Sequence, residues 1–476
     1  MDNLQKVAQL LTDKKKTVHI IGGGGVGMSA LAMVLLAQGY TVSASDQNGG
    51  TYLDKLQSMG ARVWVGSKPE NIDNTAVVFF SSAIPSTDPE YRSVLSRGQE
   101  VFHRHPLLSF ITSQYFTIAV SGTHGKTTTS GWVAFLLERA GLDPTAIIGG
   151  TLHDWGSNVK IGSGKYQGKP LLVIEADESD RSFLDIHTSI AIVTNMELDH
   201  VDNYRDESLL IQHFNEFIDN TFTRGGIFLP TLEISRNYLG VGKLSANVEN
   251  ILKNMGIDEE THDITFKSQS QKISFRVGLP GVHNLLNGSA VVMVALLMGI
   301  DHRVIADSLQ NYKGVARRME VISSIRNSKG AVVKIIDDYA HHPTEIRAVL
   351  KTLKEKCKTI VPVWEPHRVS RFIHFYQDFI SVLDEYFKNR SIYLMNIYDA
   401  AGEKKMDSYT HYHSLWSHCT ENAIDILGVK NIESMVDQVR GYQKDTTILF
   451  LGAGFSSSLA HELKNYLEKE FAPLEI

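Results

Sequence analysis

The sequence is poor in several things. Cysteine occurs twice in 476 residues, at Cys357 and Cys419. That excludes a disulfide framework, and no metal-type spacing links the two, so both read as plain thiols of a reducing compartment. Proline is sparse, at 12 residues, and no proline- or glycine-rich linker interrupts the chain. Apolar runs are short. Ala30 to Ala37 is among the longest, well under the roughly 20 residues of a membrane span. The opening residues include Asp2, Asn3, Gln5 and Lys6 and lack the apolar centre of a secretory signal. Positive charge is not in excess: 47 Lys and Arg stand against 53 Asp and Glu, a formal net charge of −6. No basic field is available for nucleic acid. A cytoplasmic protein with neither a nucleic-acid nor a membrane partner is expected.

What is present is ordinary globular composition, 43% hydrophobic and 21% charged. The length suggests about three domains. Strand and helix patterns alternate in three blocks, which predicts parallel sheets with crossover helices. The first block predicts a short helix near Leu4 to Leu11. Strands follow at Thr17 to Ile21, Thr41 to Ser45, Val63 to Val65 and Val77 to Ser81, with a helix over Met28 to Gln38. The second predicts strands Phe116 to Val120, Leu171 to Ile174 and Ser189 to Thr194, and helices Trp132 to Ala140 and Asn284 to Met298. The third predicts strands Ala331 to Ile336, Thr359 to Val363, Ser391 to Met395 and Thr447 to Leu451. Domains are expected at 1–112, 113–318 and 319–476. Between Thr221 and Phe275 the pattern weakens.

Ser121-Gly-Thr-His-Gly-Lys-Thr-Thr-Thr129 carries the sharpest chemistry. It joins an apolar strand to a helix through a glycine turn, which is the build of a phosphate cradle. Backbone N–H groups of Gly122, Thr123, His124 and Gly125 wrap phosphates, Lys126 supplies charge, and the Thr127 hydroxyl, followed by Thr128, can reach a magnesium ion. The spacing between Gly122 and Gly125 is shorter than in the common P-loop and points to a particular branch of ATP-using enzymes.

A second glycine loop, Gly22-Gly-Gly-Gly-Gly-Val-Gly27, fits the dinucleotide fingerprint through Gly22, Gly24 and Gly27, with Asp46 at the end of the next strand. Taken alone it suggests NAD. A helix N-terminus accepts any pyrophosphate, that of a UDP-sugar included, and a bare structural turn also fits.

Glu175-Ala-Asp-Glu-Ser-Asp180 crowds four acids at a strand's carboxyl end, where ligands of open sheets bind. Either a cation, with magnesium favoured by oxygen donors, or a solvated acidic loop accounts for it. Met196-Glu-Leu-Asp-His200 adds Asp199 and His200 after another strand. Asn284 and Asn287 lie three apart on one helical face. Their amides suit adenine, while Asn284 also suits a helix cap.

In the third block Asp337-Asp-Tyr-Ala-His-His-Pro343 and Trp364-Glu-Pro-His-Arg-Val-Ser-Arg371 each follow a buried strand. Arg368 and Arg371 can clamp a carboxylate, guanidinium matching it bidentately; surface ion pairs are the alternative.

Taken in order, these motifs resemble the Mur ligase family. Those carrying the resemblance are the Gly24-to-Ser29 loop, Gly-Thr-His-Gly-Lys-Thr, Glu-Ala-Asp-Glu-Ser-Asp, Glu-x-Asp-His, His-Asn-x-x-Asn and Arg317-Arg318. Asp-Asp-Tyr-x-His-His-Pro-Thr-Glu, Pro-His-Arg-x-x-Arg and Tyr398-Asp-Ala-Ala-Gly-Glu403 complete the set. The resemblance implies an α/β fold of three domains. These are a Rossmann-like domain for a UDP-sugar, a P-loop-type ATPase domain, and a Rossmann-like C-terminal domain that brings the amino acid. It implies ATP-driven amide formation in peptidoglycan precursor synthesis. In the branch the chain most resembles, the carboxylate of UDP-N-acetylmuramate is phosphorylated by ATP and the acyl phosphate is taken by L-alanine.

The resemblance further implies roles. Lys126 would bind the β- and γ-phosphates. Thr127 and Glu175 would hold one Mg2+ (or Mn2+), and His200 a second. Asn284 and Asn287 would contact adenine, Arg318 the γ-phosphate and Asp338 the ribose. Gly24, Gly25, Gly27, Met28, Ser29 and Asp46 would line the UDP-sugar site. Tyr339, His341, His367, Arg368 and Arg371 would surround the amino acid, with Lys126, His200, Arg318 and His341 nearest the chemistry. A monomer or weak homodimer is expected.

Two departures stand out. Many members carry Phe-Gln before Pro-His-Arg, where this chain has Trp364 and Glu365, and Gly-Ala-Gly-Asp is common where Gly452-Ala-Gly454 is followed by Phe455. Three other readings compete: a recycling ligase that adds a tripeptide to UDP-N-acetylmuramate, an NAD-dependent dehydrogenase, and an inactive nucleotide-binding regulator. The dehydrogenase leaves Lys126 and Glu175 unexplained.

Overall fold

Apolar strands buried on both faces build three largely parallel sheets, and each sheet gathers its loops at one edge. The computed structural model describes residues 3–237, 244–268, 271–388, 391–398, 409–421, 425–428 and 432–474. Its contacts divide the chain into two compact units. The first comprises Met1–Glu197, Ser208–Gly278 and Leu286–Lys313, and the second Leu198–Glu207, Leu279–Leu285 and Gly314–Ile476. Among the described residues no helix is long and apolar enough to cross a membrane.

The first unit holds two parallel-type sheets. Strands β1 (Thr17–Ile21), β2 (Thr41–Asp46), β3 (Arg62–Val65), β4 (Val77–Phe80) and β5 (Val101–His103) pair in the order β3-β2-β1-β4-β5. Strand order reverses between β1 and β4, so the crevice beyond their carboxyl ends is the ligand edge. The glycine loop leaves β1 there and enters helix Val26–Ala37, whose residues 28 to 35 are all buried. Glu90 is 2% exposed and braces this sheet. It accepts from the Trp64 indole at 2.7 Å, the Lys68 amide at 2.8 Å and the Ser45 hydroxyl.

The second sheet contains β6 (Phe116–Ser121), β7 (Thr145–Leu152), β8 (Ser157–Lys160), β9 (Lys165–Tyr166), β10 (Lys169–Glu175), β11 (Ile190–Val193) and β12 (Ile227–Pro230). Its order is β12-β11-β6-β10-β7-β8, with β9 beside β10. The neighbours of β6 are therefore β10 and β11, so the phosphate loop lies between the Glu175 and Thr194 strand ends. The helix after that loop spans Lys126–Arg139, six residues earlier than the predicted start. Its Trp132 is fully buried, stacks on Tyr312 at 5.0 Å and donates to the Ser308 carbonyl at 3.2 Å.

After helix Glu207–Thr223, the weakly patterned stretch forms helices Leu232–Asn237 and Ala246–Asn254 and an antiparallel sheet of β13 (Met255–Asp258), β14 (Asp263–Ser268) and β15 (Gln271–Arg276).

In the second unit β16 (Glu320–Arg326), β17 (Val332–Asp338), β18 (Thr359–Trp364), β19 (Ser391–Leu394), β20 (Asp425–Gly428) and β21 (Thr446–Leu451) pair in the order β16-β17-β21-β18-β19-β20. All pairs are parallel except β16 with β17. The predicted strands are present, with two edge strands added, the antiparallel β16 and the parallel β20. Because β21 lies between β17 and β18, the loops beginning at Tyr339, Glu365 and Gly452 share one sheet edge. Of the Tyr398-to-Glu403 motif, residues 399–403 lie outside the described residues.

Candidate functional site

The phosphate loop is shaped by two glycines that no other residue replaces. Gly122 has φ +124°, and a Cβ there would come within 2.1 Å of Thr194 Oγ1; Gly125 has φ +80°, and its Cβ would meet Asn287 Oδ1 at 2.5 Å. The β11 end holds the loop. The Thr194 hydroxyl donates to the His124 carbonyl at 2.6 Å, and the His124 amide donates to Asn195 Oδ1 at 2.9 Å. The Thr123 hydroxyl donates to the Glu197 carbonyl at 2.7 Å. No side chain of Gly125 can cap the helix it begins, so the first-turn N–H groups of Lys126, Thr127 and Thr128 are directed as an anion cradle requires.

Lys126 Nζ donates to the carbonyls of Gly122 and Thr123 at 2.7 and 3.0 Å and pairs with Glu178 at 2.9 Å. Burial disfavours its charge, but Glu178, Asp177 and Glu175 outweigh that and raise its pKa. Glu175 shows the reverse balance. Burial pushes its carboxyl up, against Lys126, the Thr127 side chain and the Gly149 amide. That amide donates to Glu175 at 2.8 Å, and a Cβ on Gly149 would strike the carboxylate at 2.5 Å. Thr127 and Glu175 thus present oxygen donors side by side. A cation would favour the charged form that burial disfavours.

The glycine loop of β1 differs in detail from its expected role. Asp46 accepts from the Gly24 amide at 3.0 Å and the Asn48 amide at 3.1 Å, so its carboxylate braces the loop. Gly25 caps the helix, whereas Met28 and Ser29 are buried, the Ser29 hydroxyl bonding the Val26 carbonyl at 3.0 Å. Arg104, which sequence reasoning missed, lies beside Gly27: a Cβ there would come 3.2 Å from Nη1. Arg104 also pairs with Asp180 at 2.7 Å, and that carboxyl is held well below the usual range despite burial. The His-Arg-His run after β5 was its only signal.

Asn287 sits against Gly125 in the first unit. Asn284 lies inside helix Val282–Leu297, not at its cap, and donates to the Pro280 carbonyl at 2.8 Å.

In the second unit the expected amino-acid residues form a row of rings. Centroids are 5.3 Å apart for Tyr339 and His341, 5.4 Å for His341 and His367, and 5.2 Å for His367 and Tyr398. His341 Nδ1 lies 2.8 Å from the Tyr339 carbonyl, which makes it the protonated nitrogen and leaves Nε2 as the acceptor. Burial, with Arg371 second, holds His341 well below the usual histidine range and His367 down to about 4.

Arg371 departs from the expected clamp. It is 3% exposed and spends Nε and Nη2 on Asp199 and Nη1 on His367. Arg368 is the more open of the pair, with Asp202 3.4 Å away. Asp338 departs likewise. Its oxygens accept from the Ala340 and Met319 amides at 2.8 and 2.7 Å, and burial pushes its carboxyl up to about 6. It organises the Arg317–Met319 turn. Arg318 lies 5.2 Å over the Tyr339 ring and 3.7 Å from Glu345. His200 donates its amide to Asp199 at 2.7 Å.

Backbone strain marks the same loops. Among the described residues, His200, Arg317, Met319 and Arg368 are four of the eight non-glycine residues with positive φ. Such strain collects at functional sites.

Three family models match the chain in succession: "Mur ligase family, catalytic domain" over 17–116, "Mur ligase middle domain" over 120–295 and "Mur ligase, glutamate ligase domain" over 317–454. The chain is 33% identical over 465 residues to UDP-N-acetylmuramate–L-alanine ligase of Aquifex aeolicus, covering 95% of this chain and 98% of that one. Its fold resembles that of UDP-N-acetylmuramate–alanine ligase from Thermotoga maritima, with TM-score 0.71, 24% identity and coverage of 96% and 99%. A murein peptide ligase from Psychrobacter arcticus is also similar, with TM-score 0.62, 19% identity and coverage of 97% and 100%.

Proposed function

This chain belongs to the Mur ligase family, and from that premise we propose that it joins L-alanine to UDP-N-acetylmuramate at the expense of ATP, in peptidoglycan precursor synthesis. The observation that carries this reading is the phosphate loop, with Lys126 and Glu175 held at its mouth by hydrogen bonds of 2.7 to 3.0 Å.

The muramate carboxylate attacks the γ-phosphorus, ADP leaves, and an acyl phosphate forms. The alanine amine adds to the acyl carbon, and the tetrahedral adduct expels phosphate. Gly122 to Thr128 hold the phosphate chain, and Lys126 exchanges Glu178 for the β- and γ-oxygens, adding charge where it accumulates. Thr127 and Glu175 supply oxygens for a divalent ion, Mg2+ or Mn2+, and His200 is assigned to a second. Such an ion, when bound, offsets phosphate charge. Asn287 and Asn284 are assigned to adenine, Arg318 to the γ-phosphate, and the loop of Gly24 to Gly27 to the UDP pyrophosphate. Arg368 is assigned to the alanine carboxylate. The rings of Tyr339, His341 and His367 bound its small side chain and keep the amine's surroundings neutral.

Domain boundaries near 112 and 318, a cytoplasmic location and a monomer or weak homodimer belong to the same reading.

Phosphate release with each substrate omitted in turn tests it. Release should require ATP, UDP-N-acetylmuramate and L-alanine together, with L-alanine above glycine, serine and D-alanine. A tripeptide preferred over alanine would overturn the alanine assignment in favour of the recycling reaction.

A further inference from the structure

The two departures of the sequence, an acid at 365 and an aromatic at 455, meet in space. Helix Ser456–Glu470 begins after β21 and the turn Gly452-Ala-Gly454. Its first N–H groups need acceptors. The capping position is Phe455, whose side chain offers none. Glu365, 90 residues away and 2% exposed, supplies both: Oε1 accepts from the Phe455 amide and Oε2 from the Ser456 amide, each at 3.0 Å. The turn is moulded on this side chain. A Cβ on Gly454 would come 2.8 Å from Glu365 Oε2 and 2.4 Å from the Tyr398 ring.

A strand–glycine–helix turn ordinarily offers its helix N-terminus to an external anion. Here the chain's own carboxylate fills it. Glu365 also directly precedes Pro366, His367 and Arg368. The Tyr398 amide donates to the Pro366 carbonyl at 2.7 Å, and the Arg368 amide donates to the Tyr398 carbonyl at 2.9 Å. Arg368 is held at φ +63°. Phe455, 66% exposed, packs its ring on Tyr398 at 5.3 Å.

We infer that Glu365 is a positioning residue for the acceptor amino acid: by accepting from the Phe455 and Ser456 amides at the start of helix Ser456–Glu470, it fixes His367 and Arg368 in the loop that receives L-alanine. The inference rests on the proposed ligase reading.

The test is a double-variant cycle of Glu365→Gln, Phe455→Asp and the two combined, read by phosphate release and by thermal melting. Glu365→Gln turns an amide N–H2 towards a backbone donor and weakens the cap. It should raise the KM for L-alanine about tenfold, with the KM for ATP nearly unchanged. Phe455→Asp alone sets two carboxylates at one helix end and should lower the melting temperature. The combined variant sets its acid within reach of the amides of Ser457 and Ser458, not those of Phe455 and Ser456 that Glu365 serves, so it should recover the melting temperature in part and leave the alanine KM raised. An unchanged alanine KM in folded Glu365→Gln, or a combined variant that recovers the wild-type alanine KM, overturns the inference. Wild-type protein that releases no phosphate with L-alanine overturns the ligase reading instead, and the melting temperatures still decide whether Glu365 caps this helix.

Discussion

Arg371 donates through Nε and Nη2 to the two carboxylate oxygens of Asp199, at 2.8 and 3.1 Å, with the two side chains 3% and 5% exposed. Burial alone would push the Asp199 carboxyl up; Arg371, with His200 and His342, holds it well below the usual range. A pair this buried is dangerous to break, because the survivor is left as an uncompensated charge. Asp199→Ala or Arg371→Ala should cost about 3–5 kcal/mol of stability, read by urea unfolding. A loss below about 1 kcal/mol would show that the pair is not maintained in solution.

The same geometry separates the two arginines of the Pro-His-Arg-x-x-Arg motif. Arg368→Ala should act chiefly on the alanine KM, since its partner Asp202 is 3.4 Å away and half-exposed. Losing a carboxylate partner of this type typically costs about 2–5 kcal/mol, a rise of tenfold or more. An Arg368→Ala enzyme with wild-type alanine KM would move the carboxylate site elsewhere.

Lys126 is anchored by two carbonyls and Glu178, all near the phosphate loop. Lys126→Ala should therefore leave UDP-N-acetylmuramate binding intact while lowering turnover by a factor of about 100 or more, as loss of a transition-state charge contact does. Calorimetry with the UDP-sugar and steady-state phosphate release check the two halves. Near-normal turnover in a folded variant would remove Lys126 from the chemistry.

Much of this was legible in the sequence, and the failures share a cause. Strands such as Thr17–Ile21 and Phe116–Ser121 are buried almost throughout, so they read as apolar runs bounded by glycine. The helix from Lys126 was legible only from Trp132, because Thr127 to Ser130 are poor helix formers and tertiary packing overrides them. The sheet of β13 to β15 was missed because few of its side chains are buried, Ile264 and Phe275 among them, which is too few for a periodic signal. In the site, motifs located Glu365, Asp199, Arg371 and Glu178 but not their partners. Glu365 with Phe455 and Asp199 with Arg371 are joined across 90 and 172 residues, and local pattern carries no information about such pairings.

Glu175 is a partly buried acid whose carboxyl is pushed up by desolvation despite Lys126 nearby. Magnesium seldom takes an all-protein cage and relies on substrate oxygens. Glu175→Gln keeps the Gly149 hydrogen bond but removes the charge. It should raise the magnesium concentration needed for half-maximal phosphate release and lower the rate, and magnesium titration at saturating ATP checks this. An unchanged requirement would show that Glu175 is not a ligand.

His367 makes the second unit sensitive to acid. Burial, Arg371 and Arg368 lower its pKa to about 4, against the opposing pull of Asp199. A histidine normally titrates near 6.5. Between those values the unfolded chain binds a proton that the folded chain refuses, so stability rises with pH across the window. The contribution is complete above about pH 6.5 and is lost as pH falls towards about 4; its ceiling is about 3 kcal/mol. His341, held low by burial and Arg371, acts in the same direction. Asp338 opposes them. Its carboxyl, raised to about 6 by burial, costs stability when ionised, and that cost is relieved as pH falls through about 6. Urea unfolding from about pH 4 to about pH 7 should therefore show a positive slope that flattens in His367→Asn and steepens in Asp338→Asn. An equal slope in wild type and His367→Asn would mean that His367 takes up its proton as readily in the folded protein as in the unfolded chain, and the row of rings beside Arg368 would then gain a positive charge only as pH falls below about 6.5.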